Sequence, residues 1–334
     1  MNNYLFFRTD RIGDFLLSAV LLKSIKRNDI KSFITIVASE KNYEYIQTLK
    51  FVDKVILYPN NLFKKIQFFL QILKTNYFSC GVLDGKKRSI YACILVKAQN
   101  KFIITTKKLF KKLISPFINN TFYTDDFDNK IDETKNILKI FDFSFDVKDL
   151  DLFESENINE IKFSFGNDIF KLKNFLLLHF DEKWIFDTYI KKFTRIEPNY
   201  NELNKFLYEI IKKTKNDLVI TSGNLDLQLI HNLKNNFTKK TEQIYFKKIE
   251  NNIVYLLIKT NFFDLKKIIF NSKLIISCHG APTHVAAGMN KRIIDIFNSD
   301  DEKWYKKWNS HFRNYEFIHR SQFKILSLKI LSKL

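Results

Sequence analysis

Glycine occurs only seven times in this chain of 334 residues, proline four times and cysteine three times. No P-loop is present, and no Gly-x-Gly-x-x-Gly dinucleotide fingerprint, which argues against kinase and dehydrogenase chemistry. The cysteines, Cys80, Cys93 and Cys278, stand too far apart for a disulfide framework or a zinc spacing, so a reducing compartment fits best. No apolar run approaches the roughly 18 residues that span a bilayer. Arg8, Asp10, Arg11 and Asp14 interrupt the N-terminus, and no small-residue cleavage site follows an apolar run, so it does not read as a signal peptide. No repeat of 20–50 residues is visible. These absences point to a cytoplasmic chain, soluble or peripheral on the inner membrane.

Apolar residues and positive charge are abundant. The chain is 46% hydrophobic, enough for a sizeable core, and its length suggests about two domains. The net charge is +19. That charge suits an anionic partner such as nucleic acid, an anionic membrane surface or a phosphorylated substrate. Compositional drift is the alternative, because the lysines stand in scattered pairs such as Lys64–Lys65, Lys107–Lys108 and Lys191–Lys192.

Short β-branched or aromatic runs alternate with longer helical patterns. Strands are expected at 3–8, 32–38, 54–58, 77–83 and 100–105, with helices at 14–27, 40–50 and 62–75. The pattern blurs from about 110 to 170. It resumes with strands at 174–180, 217–222, 273–277 and 292–297, and helices at 201–214, 226–236 and 282–289. Continuous apolar strands alternating with helices imply βαβ units and parallel sheets. The expectation is an α/β chain of two Rossmann-like domains facing a central cleft, at 1–165 and 170–310. A tail at 311–334 would pack on the body, with its amphipathic FKILSLKILSKL lying on the protein or on a membrane surface.

Three of the seven glycines, Gly13, Gly223 and Gly280, stand between an expected strand and an expected helix. In open α/β sheets ligands bind at the carboxyl ends of the strands, and helix N-termini attract anions. The segment LIISCHGAPTHVAAGM (274–289) would offer the Gly280 and Ala281 N–H groups, the Thr283 hydroxyl and the His284 imidazole to an anion. A metal site of Cys278, His279 and His284 is the rival reading, without a fourth ligand or a recognised spacing. Asp84, Lys86 and Arg88 could meet an anionic acceptor or form a solvated turn. His179 could be core or site.

Two stretches carry a family resemblance. RTDRIGDFLLSAVLLKSIK (8–26) resembles the opening signature of the heptosyltransferase-like glycosyltransferases of family 9. SCHGAPTHVAAGMNKRIIDIF (277–297) resembles their second signature. KFVDKVILYP and LVITSGNLD look like segments that lie between them. The resemblance implies a GT-B fold and inverting transfer of a sugar from a nucleotide-diphosphate sugar, with no cofactor and no metal. It implies Asp14 as general base, with Arg11 and Gly13 on the acceptor side. On the donor side it implies Gly280, Ala281 and Thr283 at the diphosphate, His284 at the nucleotide and Lys183 at the donor phosphates. It places Ser222 and Gly223 on the nucleotide side and Asp226 where the family usually has a glutamate on the ribose. His279 stands where the donor loop often carries aspartate. The implied partners are an ADP-heptose-like donor, a lipid-linked or phosphorylated glycan acceptor such as a lipopolysaccharide core, and an anionic inner-leaflet surface. Nucleic acid is not implied.

The chemistry is coherent on its own terms. Inverting transfer needs a base for the acceptor hydroxyl and stabilisation of the departing diphosphate. Asp14 can serve as that base, as a helix cap, or as both. A metal-dependent enzyme would need an Asp-x-Asp at a strand end, and Asp126–Phe127–Asp128 and Asp149–Leu150–Asp151 follow no clear apolar strand. The contrasting reading is a non-catalytic or nucleic-acid-binding basic protein with a degenerate nucleotide-sugar site.

Overall fold

The computed structural model describes residues 1–106, 116–153, 174–185, 194–223 and 228–334. Asp226 and the lysine pairs at 107–108 and 191–192 lie outside the described residues. The chain forms two compact units. One is Met1–Glu156 together with Lys306–His311; the other is Asn157–Tyr305 together with Phe312–Leu334.

The first unit is built on six parallel strands: β1 (Asn3–Phe7), β2 (Phe33–Ala38), β3 (Lys54–Leu57), β4 (Tyr77–Val82), β5 (Ala98–Thr105) and β6 (Asn120–Tyr123). Their order is β3-β2-β1-β4-β5-β6. The direction of winding therefore reverses between β1 and β4, where a doubly wound sheet leaves a crevice at its carboxyl edge. Phe7, the last residue of β1, pairs in register with Val82, the last of β4. The loops that follow both strands thus emerge side by side. Gly81 in β4 gives room to two aromatic rings. A Cβ there would lie 2.4 Å from Phe102 and 2.8 Å from Phe6.

The helix Ile12–Asn28 is apolar nearly all round because it is buried nearly all round, from Phe15 to Ile25. Asp149, from one of the two Asp-x-Asp stretches set aside as metal sites, is buried against this helix. Its carboxylate accepts from Ser24 Oγ at 2.7 Å and pairs with Arg27 at 3.0 Å, which makes it a structural anchor. The stretch without a clear period holds β6 and a helix, Lys130–Leu138.

The second unit repeats the plan. Its strands are β7 (Phe175–Phe180), β8 (Leu218–Ser222), β9 (Thr238–Lys239), β10 (Ile244–Ile249), β11 (Asn252–Leu257), β12 (Ser272–Cys278), β13 (Arg292–Phe297) and β14 (Tyr315–His319). The order is β14-β13-β12-β7-β8-β11-β10-β9. It is parallel from β14 to β11 and antiparallel beyond, so the winding reverses between β7 and β12. The terminal helix Phe323–Ser332 packs on its own unit, with Phe323 edge-on to Phe206. All three cysteines are buried and unpaired. Among the described residues, no helix is long and apolar enough to cross a membrane.

Candidate functional site

In each unit the loops at the reversal point gather the polar side chains. In the first, β1 runs out into Arg8-Thr9-Asp10-Arg11 and the helix starts at Ile12. Arg8 is buried. Its Nε and Nη2 donate to the Asp14 carbonyl at 3.1 and 2.5 Å, and its Nη1 donates to the Leu83 carbonyl beyond β4. One guanidinium thus ties the first turn of the helix to the neighbouring strand end. Asp14 occupies the third helical position, half-buried. Its Oδ2 accepts the Arg11 backbone N–H at 3.4 Å, a long contact that leaves the carboxylate largely uncommitted. Gly13 lies within the first turn of the same helix rather than before it.

Asp84 is the hub of this site. Its Oδ2 accepts from Thr9 N–H at 3.0 Å, Thr9 Oγ1 at 2.7 Å and Ser89 Oγ at 3.0 Å. Thr9 Oγ1 also accepts from Lys86 Nζ at 3.1 Å and Arg88 Nη2 at 3.0 Å, and Arg88 stacks over Tyr58 at 4.5 Å. Asp84, Lys86 and Arg88 are therefore part of the β1 loop's own network, not a detached turn. The resulting cavity of about 410 Å³ is lined by Asp10, Arg11, Asp14, Lys86 and Arg88 among others. Burial pushes the Asp10 carboxyl up to about 6, helped by the charges of Asp14 and Asp84 and opposed by Arg8, 3.2 Å away.

In the second unit the loops after β7 and β12 meet. Lys183 Nζ donates to the His279 carbonyl at 2.5 Å and lies 3.6 Å from Asp181. Burial pushes the Asp181 carboxyl up, while Lys183 opposes that shift. Gly280 caps the helix Ala281–Gly288 in an extended conformation open to any residue, with φ 173°. Its glycine leaves room for the lysine: a Cβ there would lie 2.4 Å from Lys183 Nζ, so the ammonium would have to shift.

Thr283 is fully buried. Its hydroxyl donates to the Gly280 carbonyl at 2.7 Å and accepts the Gly280 N–H at 3.2 Å. Both groups were expected to face an anion; here they satisfy each other. His284 is buried between the rings of His279 and Phe312, each with its centroid 5.2 Å away.

His279 in the same loop is held by a buried carboxylate. Its Nδ1 lies 2.6 Å from Asp295 Oδ2, which also accepts from Tyr315 OH at 3.0 Å. Burial, with the Asp295 charge, pushes the Tyr315 phenol far above its usual range, so it remains a donor. A carboxylate on Nδ1 places the ring proton there, leaving Nε2 as the nitrogen for a ligand. The His279 ring also packs against Tyr305, with centroids 4.4 Å apart and the planes tilted by 57°. His179 is core: its Nδ1 is 2.9 Å from Thr221 Oγ1, and burial, with Lys183, pushes it down to about 4. Ser222 is buried at the end of β8, and a Cβ on Gly223 would meet nothing within 4 Å.

Cys278 is turned onto Arg320 at 3.5 Å, and burial pushes its thiol far up. Among the described residues, no group of three His, Cys, Asp or Glu side chains converges as a metal site would require. Sequence reasoning missed Asp295 and Tyr315, and named Asp84 only with a solvated turn as its alternative. Asp295 carried a signal: a charge inside the continuous apolar strand RIIDIF rarely lies buried without a polar partner.

Residues 231–327 match the family model described as glycosyltransferase family 9 (heptosyltransferase). A search of curated proteins finds no match. Among solved structures the chain is similar to the E. coli heptosyltransferase WaaC with ADP, at 10% identity and a TM-score of 0.69, covering 99% of this chain and 100% of that one. It is also similar to E. coli ADP-heptose LPS heptosyltransferase II, at 10% identity and 0.64, covering 99% and 98%. A third similar structure is the UDP-GlcNAc 2-epimerase of Methanocaldococcus jannaschii, at 11% identity and 0.54, covering 100% and 92%. The family model bears out the resemblance over 231–327, which holds the second signature, and the structural likeness bears out the GT-B fold.

Proposed function

We propose that this protein is an inverting glycosyltransferase that uses an ADP-heptose-like nucleotide-sugar. Its acceptor would be a lipid-linked or phosphorylated glycan, such as a lipopolysaccharide core, at the cytoplasmic face of an anionic membrane. The observation that carries this reading is the Lys183–Gly280 loop at the winding reversal of the second unit, the unit that also holds the family match. A lysine held at the start of a helix, with Gly280 keeping its place, suits a diphosphate that gains charge as it departs.

In this reading the acceptor hydroxyl gives its proton to Asp14 as its oxygen attacks the anomeric carbon. The bond from that carbon to the diphosphate breaks, and the nucleoside diphosphate leaves with the electron pair. Lys183 and the N-terminus of Ala281–Gly288 stabilise the departing charge, so no divalent ion is needed. Arg8 holds the first turn of the helix by its Asp14 carbonyl, which fixes the base in position. His279, fixed by Asp295, presents Nε2 beside the same loop and fills the donor role that the family gives to aspartate.

The test is a thermal-shift panel of ADP-, UDP-, GDP- and CDP-sugars followed by a transfer assay with the stabilising donor. Asp14→Asn is expected to lower kcat by about 10²–10⁴-fold, the usual range for a lost general base, with donor affinity unchanged. Full turnover in that variant would remove Asp14 from the base role. Absence of any selective nucleotide-sugar, with steeply salt-dependent binding to nucleic acid, would support the non-catalytic reading.

A further inference from the structure

The lysines that look scattered along the sequence are unevenly spread. Residues 54–123 hold thirteen Lys or Arg and one acid, Asp84, a net +12 of the chain's +19. Asp84 is itself occupied by Thr9 and Ser89. The helix Leu62–Leu73 belongs to this segment and contains no acidic residue. Neither does the helix Lys87–Leu95. Both lie on the same face of the first sheet, where Phe68 and Ile72 from one and Ile90 and Cys93 from the other share a core with Leu5 and Val82.

The outward sides of these helices are apolar where solvent-facing helices carry polar groups. Leu62, Ile66 and Leu70 recur every fourth residue and form one line along the helix, at 75%, 53% and 55% exposure. Phe63 widens the line, and Tyr91 and Leu95 continue the exposed apolar surface on the second helix. Exposed Lys64, Lys74, Lys87 and Lys97 belong to the same two helices or stand just after them.

We infer that this face is the surface by which the protein docks on an anionic lipid bilayer. The inference rests on the membrane-bound acceptor proposed above and names the elements that meet the membrane. Its two features together select this occupant. Nucleic acid would pair with the lysines and leave the apolar line in water, and a protein partner would not need a segment with a single acid beside its lysines. An amphipathic helix with aromatic and aliphatic side chains on one side and lysines alongside lies in the headgroup region. The face belongs to the unit that carries Asp14, so docking brings that unit to a lipid-linked acceptor.

The experiment is co-sedimentation of the full chain with two kinds of vesicle: pure phosphatidylcholine, and equal parts phosphatidylcholine and phosphatidylglycerol. The wild type is expected on the anionic vesicles only. Ile66→Glu/Leu70→Glu should lower that binding at least about tenfold, since each loses an inserted apolar side chain and gains a repelled charge. Lys64→Glu/Lys74→Glu should weaken it and flatten its salt dependence. Leu328→Glu, exposed on the second unit, should bind as wild type and serves as the control. Unchanged circular dichroism and Tm in each variant would exclude misfolding as the cause.

Wild-type binding that survives Ile66→Glu/Leu70→Glu would overturn this face while leaving the membrane reading intact. A wild type that ignores both vesicles would overturn the membrane reading itself. Binding to duplex DNA in place of vesicles, or a wild-type dimer dissolved by Ile66→Glu, would overturn the proposal in favour of those partners.

Discussion

Replacing Gly280 by alanine isolates one contact. The new Cβ would sit 2.4 Å from Lys183 Nζ, while its next neighbours, Pro282 Cδ and Lys183 Cε, lie at ordinary distances of 3.7 and 3.8 Å. The backbone is extended and accepts alanine without strain. The cost therefore falls on the ammonium, which must shift and at most gives up its bond to the His279 carbonyl and its pairing with Asp181. A hydrogen bond from a charged donor is worth about 1.5–3 kcal/mol, and alanine returns about 0.4–1 kcal/mol by stiffening the unfolded chain.

Gly280→Ala is thus expected to destabilise the second unit by about 1–2 kcal/mol. In a Lys183→Ala background the same change should cost nothing or stabilise slightly, because no ammonium remains to be displaced. The difference is a coupling of about 1.5–3 kcal/mol. Urea unfolding followed by tryptophan fluorescence reads it, since buried Trp184 packs on Phe180 in the same unit. ADP titrated into the four proteins by calorimetry should give weaker binding in both single variants. Equal destabilisation by Gly280→Ala with and without Lys183 would show that the glycine answers to some other contact, and the lysine would lose its assigned place at the loop.

Three further outcomes are expected. The Asp10 carboxyl is raised to about 6 in the folded chain, so its ionised form opposes folding above that pH; Asp10→Asn should stabilise by about 3 kcal/mol at pH 7.5 and by little at pH 4, and a pH-independent gain would refute the assignment. His179 is lowered to about 4, so stability falls as pH drops from 6.5 to 4, and His179→Gln should flatten that slope in thermal melts. Transfer activity should survive chelator, whereas loss that a divalent ion restores would favour a metal-dependent reaction.

The central strands were legible where they are continuous runs of Val, Ile, Leu or Phe buried on both faces, as in FITIVA and FLLLHF. The helix at Ile12–Asn28 was legible for the same reason. The hairpin of β10 and β11 was not, because Glu250 takes the left-handed conformation at its turn, with φ 53°, where glycine or asparagine would have announced it. The site was legible where its residues are contiguous, as at 8–14 and 279–284. Asp84 was assigned no firm role because its meaning depends on β4 lying beside β1, and strand order is not written in any local pattern. The uncommitted carboxylate of Asp14 follows from the long contact to Arg11, which only geometry shows.

The six residues Lys306–His311 belong to the unit that the rest of the chain left at Glu156. Lys307 donates to the Thr124 carbonyl, and Trp308 lies over the Lys130 ammonium at 4.7 Å. During synthesis the first 156 residues would emerge with that ammonium uncovered. At ribosomal speeds of 5–20 residues per second, its lid follows roughly 10–30 s later. The first unit is therefore completed only when the second is almost fully translated, and a gene cut at residue 156 would yield a fragment that lacks part of its own wall.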